Sequence, residues 1–483
     1  MTFNIKNSYH ELGEAFYKKQ SPDNIKHPAL VVFNKKLAKK LNLNLNENEE
    51  YLADIFCGNK LLLNSKPISL AYAGHQFGHF VPQLGDGRAI LLGEVEDING
   101  DLFDIQLKGS GKTYFSRGGD GKCPLSAAIR EYIVSEAMYF LKIPTTRSIA
   151  LVKTNEFISR ESLVPSAILT RIAAGHIRIG TFEYFANKNN LENLKTLANY
   201  SIKRHYPQCH GSKNPYLSLL KAVIESQIEL VATWMSVGFI HGVMNTDNTS
   251  ISGQTIDYGP CAFMDEYKKD KLFSYIDKMG RYNFSNQKNV ILWNLTRFAE
   301  SILPLIDNNI ENAIILAEEE LNKFLNLFDA IYFKKMAKKL GIFDFKESDK
   351  SLIIEFLEIL EINNIDFTNG FRSLALVLRG KIDFYLQDSQ SVNWFDRWLK
   401  RLKNQKLDLE RIAEKMDKIN PILIPRNHII KRIIDQCVVD NNFDELKQFL
   451  QLIESPFKNK ENCEQYYLPP KKGEEIANTF CGT

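Results

Sequence analysis

Residues 103–108 read FDIQLK, with Phe103, Ile105 and Leu107 on one side and Asp104, Gln106 and Lys108 on the other. A period of two marks a strand with one covered face. Residues 89–96 (AILLGEVE), 148–153 (SIALVK) and 166–172 (SAILTRI) also read as strands. Between them, Ile129, Ile133, Ala137 and Phe140 recur at helical spacing behind Pro124, which predicts a helix over 125–141. Strands, one helix and further strands predict a small mixed sheet.

The pattern changes after about residue 185. Residues 216–239 and 312–339 read as long helices, separated by the short segments 241–248 and 250–257. From 346 the chain is helical again and ends in an extended tail, YYLPPKKGEEIANTFCGT. No internal repeat or low-complexity linker interrupts it. The fold class is α+β, a small sheet lobe followed by a larger helical lobe. A cleft at such a junction is a common place for a nucleotide.

Composition narrows the setting. The 483 residues are 44% hydrophobic and 25% charged, as in ordinary globular proteins. A net charge of +3 gives no reason to expect nucleic-acid or membrane-surface binding. No apolar run reaches the roughly 18 residues of a membrane-spanning helix. The opening stretch, MTFNIKNSYHELGEAF, lacks a secretory apolar core, and the 7 cysteines form no CxxC pair. The cytoplasm is the expected compartment.

The stretch GSGKT at 109–113 imitates the end of a phosphate-binding P-loop. Walker A spacing puts a glycine at position 106, where the chain has Gln106, inside the FDIQLK strand. Lys108, at the end of that strand, is the better candidate to reach into a nucleotide cleft. A strand lysine needs a carboxylate to hold its ammonium, and the 125–141 helix offers Glu131 or Glu136.

Further signals cluster downstream. HGVMNTDN, 241–248, fits a kinase-like register of His-Gly-Asp, four residues and Asn, except that Val243 occupies the base position. Asp247 is the nearest carboxylate. The triplet Asp257-Tyr258-Gly259 follows, and Asp257 with Asn248 offers hard oxygen ligands suited to Mg²⁺ or Mn²⁺. Arg88 sits in LGDGRA, and Arg171 and Arg178 flank IAAGHIRIG; guanidinium forks suit a triphosphate. His75 and His79 stand at i,i+4 with no third metal ligand evident, so structural roles are expected for them.

Taken together, YAGHQFGHFVPQLGDGRAILLGE, LKGSGKTYFSRGGDGK, IREYIVSEAM, HGVMNTDN, IDYGPCAFMD and the ending TFCGT resemble the selenoprotein O family of protein adenylyltransferases. The resemblance runs over essentially the whole chain. It implies a protein-kinase-like bilobal fold: a nucleotide-binding N-lobe over 1–174, a helical C-lobe with the catalytic and metal-binding segments over 175–345, and a helical extension and tail over 346–483. It implies transfer of AMP, or in some members UMP, to protein hydroxyls, with the nucleotide inverted so that its α-phosphorus faces the acceptor.

Carried over residue by residue, the resemblance makes Asp247 the proton acceptor and Asn248 and Asp257 the metal ligands. Lys108, ordered by Glu131, would bind phosphate, as would Gly85, Gly87, Arg88, Asp120, Gly121, Arg171 and Arg178. ATP or UTP would be the co-substrate, with Mg²⁺ or Mn²⁺ as cofactor. The acceptors would be Ser, Thr or Tyr hydroxyls of proteins, this chain included. Val243 belongs to the family's own pattern. Family members commonly carry Pro where this chain has Lys112, a change expected to add charge near the triphosphate. The C-terminal redox position, selenocysteine in animal members, is Cys481 here.

Two rival readings remain open at the level of sequence: a conventional kinase transferring the γ-phosphate, and a nucleotide-binding scaffold without turnover. A separate reading makes Cys481 a redox candidate that pairs with Cys261, two positions beyond the Asp-Tyr-Gly triplet, against an unpaired tail thiol.

Overall fold

The computed structural model describes residues 5–45, 48–384, 386 and 388–480. Its strands in chain order are β1 (Tyr17–Lys19), β2 (Ala29–Phe33), β3 (Ile68–Leu70), β4 (Gly74–Gln76), β5 (His79–Val81), β6 (Ala89–Glu96), β7 (Leu102–Lys108), β8 (Cys123–Pro124), β9 (Arg147–Ser159) and β10 (Leu163–Ala173), followed by the short β11 (Phe239–Ile240) and β12 (Ala262–Phe263). The main sheet runs β1-β3-β6-β7-β10-β9-β2, with β8 added beside β10.

Every described pairing between these strands is antiparallel, which corrects the expected mixed sheet. The reason lies in the connections. A parallel pair needs a crossover of a dozen or more residues, whereas β6–β7 and β9–β10 are joined by tight turns. In the first of these, Asp97 Oδ1 accepts from the backbone N–H groups of Asn99 and Asp101, and Gly100 supplies the positive φ. The sheet is also larger than expected, because β1, β2 and β3 are too short to show a period.

Helix Leu125–Phe140 packs on β9 and β10 on one side and on helices Asn427–Val439 and Asp444–Ile453 on the other. It is therefore buried around most of its circumference rather than along one stripe, and Phe140 is only half-buried. The opposite sheet face is covered by helices Lys35–Lys40 and Glu49–Cys57, with Leu52, Phe56, Ile90, Leu107 and Ile168 in that core. The larger core continues from Ile129 and Leu169 through Phe182, Leu295 and Phe356 to Trp394 and Phe449.

The expected helix at 216–239 is Pro215–Ser236, started by the Asn214 side chain. The expected 312–339 helix is Ile310–Leu321 and Phe324–Lys339. Asn322 and Lys323 between them keep right-handed dihedrals, and Ala313, Ala317, Phe324 and Phe328 all face the core. The final helix, Asp444–Ile453, gives way to an irregular tail. This returns to the segment after Asp257, where Thr479 N–H donates to Phe273 O at 2.7 Å and Thr479 Oγ1 to Pro260 O at 2.5 Å. Among the described residues, no helix is long and apolar enough to cross a membrane.

Candidate active site

Strand register builds the first wall of a cleft of about 480 Å³. Lys108, the last residue of β7, lies opposite Ala89 of β6 and Leu169 of β10, and Arg171 lies opposite Gln106. Their side chains meet behind the cleft on Glu131. Lys108 Nζ donates to Glu131 Oε2 at 2.5 Å, and Arg171 Nε to Oε1 at 2.6 Å. Both cations also reach Asp257 Oδ1, at 2.9 Å from Lys108 and 3.4 Å from Arg171.

Two buried cations and two carboxylates thus balance. Burial alone would raise the Asp257 pKa, but Lys108, Arg171 and Arg88 outweigh it and hold that carboxyl far below the usual range. Asp257 also has a φ of 65°, uncommon for any residue other than glycine. The next residue, Tyr258, is fully buried and its hydroxyl meets Thr145.

The facing wall comes from the segment after β11. His241 is buried and stacked on Trp234, and its Nε2 lies 2.9 Å from Ile256 O, tying the two short segments together. A single 3-10 turn, Thr246–Asn248, then presents Asp247 and Asn248 to the cleft. Asn248 Nδ2 donates to Val243 O at 3.1 Å, which commits its nitrogen and leaves the amide oxygen. Asp247 Oδ2 accepts from Gln76 Nε2 of β4 at 3.3 Å, while Oδ1 is buried with no hydrogen-bond partner. Burial raises the Asp247 pKa to about 6, against the pull of Arg178. A carboxylate poised near neutrality with one oxygen unsatisfied is equipped to accept a proton.

Two glycine-bearing loops form the rim. Gly85 has a φ of 71°, and a Cβ there would stand 2.2 Å from the Phe115 ring. Gly121 has a φ of 70°, and its Cβ would stand 2.0 Å from Gly111 O. Both positions need glycine on geometry alone. Gly87, Arg88, Asp120, Gly121 and Arg178 line the cleft with Lys108 and Arg171. Asp120 is paired with Arg160, whose two terminal nitrogens stand 2.8 and 3.0 Å from its oxygens. Arg178 lies over the Tyr72 ring at 4.2 Å and 3.7 Å from Asp86 Oδ1.

The P-loop imitation dissolves here. Residues 109–122 form a loop closed by the Gly111 N–H to Gly121 O bond at 3.3 Å, and no helix follows Thr113. Lys112 is exposed and is not among the residues lining the cleft. Its neighbour Thr113 turns inward instead and donates to Asp86 O at 2.6 Å.

Comparison with known proteins gives the family. The family model described as protein adenylyltransferase SelO matches residues 1–454. The chain belongs to the SelO protein adenylyltransferase family. It is 45% identical over 485 residues to the protein nucleotidyltransferase YdiU of Clostridium botulinum (strain Eklund 17B / Type B), covering 99% of this chain and 98% of the relative. The YdiU protein of Bacillus cereus (strain G9842) is likewise 45% identical over 482 residues, covering 100% and 98%.

For a SelO-family chain the donor set suits a divalent cation. Asn248 keeps its amide oxygen and Asp257 keeps the oxygen that Lys108 and Arg171 do not use, both on one cleft. Mg²⁺ commonly takes one or two protein oxygens and fills its remaining positions with phosphate and water.

The sequence reading missed Tyr72, Gln76, Asp86 and Arg160. Asp86 lies within the quoted LGDGRA, but only the fold shows that Gln106 Nε2 donates to it at 3.1 Å and that Arg178 stands beside it. Glu136, the alternative partner for Lys108, instead accepts from Arg147 Nε at 2.7 Å and Asn34 Nδ2 at 2.8 Å. His75 meets Glu183 through Nδ1, and His79 is exposed. Cys481 lies outside the described residues. Cys261, its suggested partner, is buried, with burial pushing its thiol up to about 12.

Proposed function

We propose that this chain transfers AMP, with UMP as the variant, from a nucleoside triphosphate to Ser, Thr or Tyr hydroxyls of proteins and releases pyrophosphate. The observation that carries this reading is Asp247: a buried carboxylate with an unpartnered oxygen, on the same cleft as Lys108, Arg171, Asn248 and Asp257. Family membership supports nucleotidyl transfer over other uses of such a cleft. The two lobes, 1–174 and 175–345, are read as kinase-like, supported by the strand lysine held by a helix glutamate and the Asp-Tyr-Gly segment.

The chemistry asks for positioning and charge. Asp247 orients the acceptor hydroxyl and takes its proton as the oxygen bonds to the α-phosphorus and the bond to pyrophosphate breaks. Lys108 and Arg171, fixed by Glu131, face the departing negative charge, with Arg178 and Arg88 around the phosphates. Mg²⁺ or Mn²⁺, held by Asn248 and Asp257, supplies further neutralisation when bound. Removing one such arginine costs about 10³-fold, by analogy with arginine fingers.

A conventional kinase is the second reading, and Val243 at the usual base position speaks against it. Product analysis separates the readings. Pyrophosphate formed in step with protein labelling supports nucleotidyl transfer, ADP formed in step overturns it, and binding without either product leaves a scaffold.

A further inference from the structure

The β4–β5 hairpin leads from the catalytic carboxylate to a surface that the transfer chemistry does not use. Gln76, at the end of β4, holds Asp247, and the next residue, Phe77, takes its backbone N–H to Asn245 Oδ1 at 3.1 Å. One position further, Gly78 lies against the Arg281 guanidinium. That guanidinium sits over the Trp293 ring at 4.7 Å, and Arg297, one helical turn along from Trp293, lies at 5.2 Å from the same ring. His75 meets the ring edge-on at 5.1 Å.

Of the two guanidinium charges here, that of Arg281 has no ion-pair partner among the described residues, whereas that of Arg297 has one. Among the described residues, no carboxylate lies within salt-bridge distance of the Arg281 side chain; Asp277 is engaged by the backbone N–H groups of Arg281 and Tyr282. Among the described residues, Arg297 pairs with Glu300 at 2.6 Å, on the exposed side of its own helix, where an incoming carboxylate can compete for it. The Nε atoms of Arg281 and Arg297 are both buried and unpartnered. Glu183, the other nearby acid, is taken by His75.

Beside this pair, the segment before Arg281 exposes Tyr275, Ile276 and Met279, the last at 92%. That segment is anchored, since Tyr275 N–H donates to Thr479 O and Asp277 N–H to Ser274 O, each at 3.1 Å. Arg, Trp, Tyr and Met are the residues enriched where proteins meet. An exposed apolar strip just before Arg281 in the chain, with two arginines over one tryptophan ring, is a surface for a partner that brings both apolar area and negative charge.

We infer that this face docks the acceptor protein and selects an acidic side chain close to the acceptor hydroxyl. The inference rests on the proposed nucleotidyl transfer and adds the substrate class to it. Arg281 and Arg297 receive the carboxylate, Trp293 holds their planes, and Met279 and Ile276 cover adjoining apolar residues of the acceptor. Gly78 lies two positions beyond the Gln76 contact with Asp247. Phe77 and Gly78 form the hairpin turn, both at positive φ, so the step from Asp247 to Arg281 is short and the carboxylate belongs within a few residues of the hydroxyl.

The test uses the full chain, α-labelled ATP and two tyrosine peptides that differ only in carrying Glu or Lys three residues from the tyrosine. The Glu peptide is expected to have at least a tenfold higher kcat/KM, through KM. Arg281→Gln and, separately, Arg297→Gln are expected to remove most of that preference while leaving ATP affinity unchanged. Arg281→Glu is expected to shift the preference toward the Lys peptide, which a merely structural role does not predict. Equal use of both peptides by the unaltered chain, or an undiminished preference in both Gln variants, overturns the inference while the transfer reading stands. Absence of α-label in any acceptor overturns the transfer reading and the inference with it.

Discussion

Glu131→Gln isolates what the buried charge cluster does. The substitution keeps the shape of the side chain but removes one of two negative charges facing Lys108 and Arg171. Glu131 is 2% exposed and accepts from both cations, so water cannot replace it. Breaking a buried ion pair by removing one partner typically costs about 3–5 kcal/mol, because the remaining charge stays buried and uncompensated.

The sign of the pH dependence follows from the Glu131 carboxyl. Burial pushes its pKa up, but Arg171 and Lys108 outweigh burial and hold it below the ordinary value. Its contribution is therefore fully present above the ordinary glutamate range and is lost as pH falls through the lowered folded value. Urea unfolding at neutral pH is expected to show the full deficit of the variant, and the gap should narrow in acid. Transfer of α-label should fall by about 10²-fold or more, as Lys108 loses its fixed position. A variant destabilised by less than about 1 kcal/mol and fully active would refute the claim that Glu131 holds Lys108.

Other outcomes follow from the same geometry. Lys108→Ala is expected to weaken ATP binding strongly, whereas Lys112→Ala, on an exposed side chain, should leave it within about twofold, measured by calorimetry. Asp257→Ala should abolish transfer with the circular dichroism spectrum unchanged; an active, metal-dependent variant would overturn the metal assignment. Lys339, near Phe367 and Phe371, is buried with no counter-ion among the described residues, and burial lowers its pKa to about 7. The native state therefore disfavours its charged form, a penalty fully present below pH 7 and relieved as pH rises toward the unfolded value. Lys339→Met should stabilise the fold on the order of 3–5 kcal/mol at and below pH 7. That gain should vanish in alkali, and a pH-independent effect would contradict the burial argument.

The parts of the site legible in the sequence were those carried by local pattern. Period-two alternation placed Lys108 at a strand end, and the spacing from His241 to Asn248 and Asp257 marked the opposite wall. The choice between Glu131 and Glu136 was not local. Five positions apart, they point about 140° away from each other around the helix, and only the fold shows which side meets β7 and which meets Arg147. Asp86 was invisible for a similar reason, since its partners Gln106 and Arg178 come from β7 and from the segment beyond β10. Short strands such as β1 and β3 carry too few residues for a period to register.

The central claim is that the α-phosphorus, rather than the γ-phosphorus, reaches the acceptor beside Asp247. Parallel incubations with ATP labelled at one position or the other, followed by counting of protein-bound label, address it directly. Label is expected in protein from α-labelled ATP alone, and none when Asp247 is replaced by Asn. Label from γ-labelled ATP alone would contradict it and make the chain a kinase working without a carboxylate at position 243.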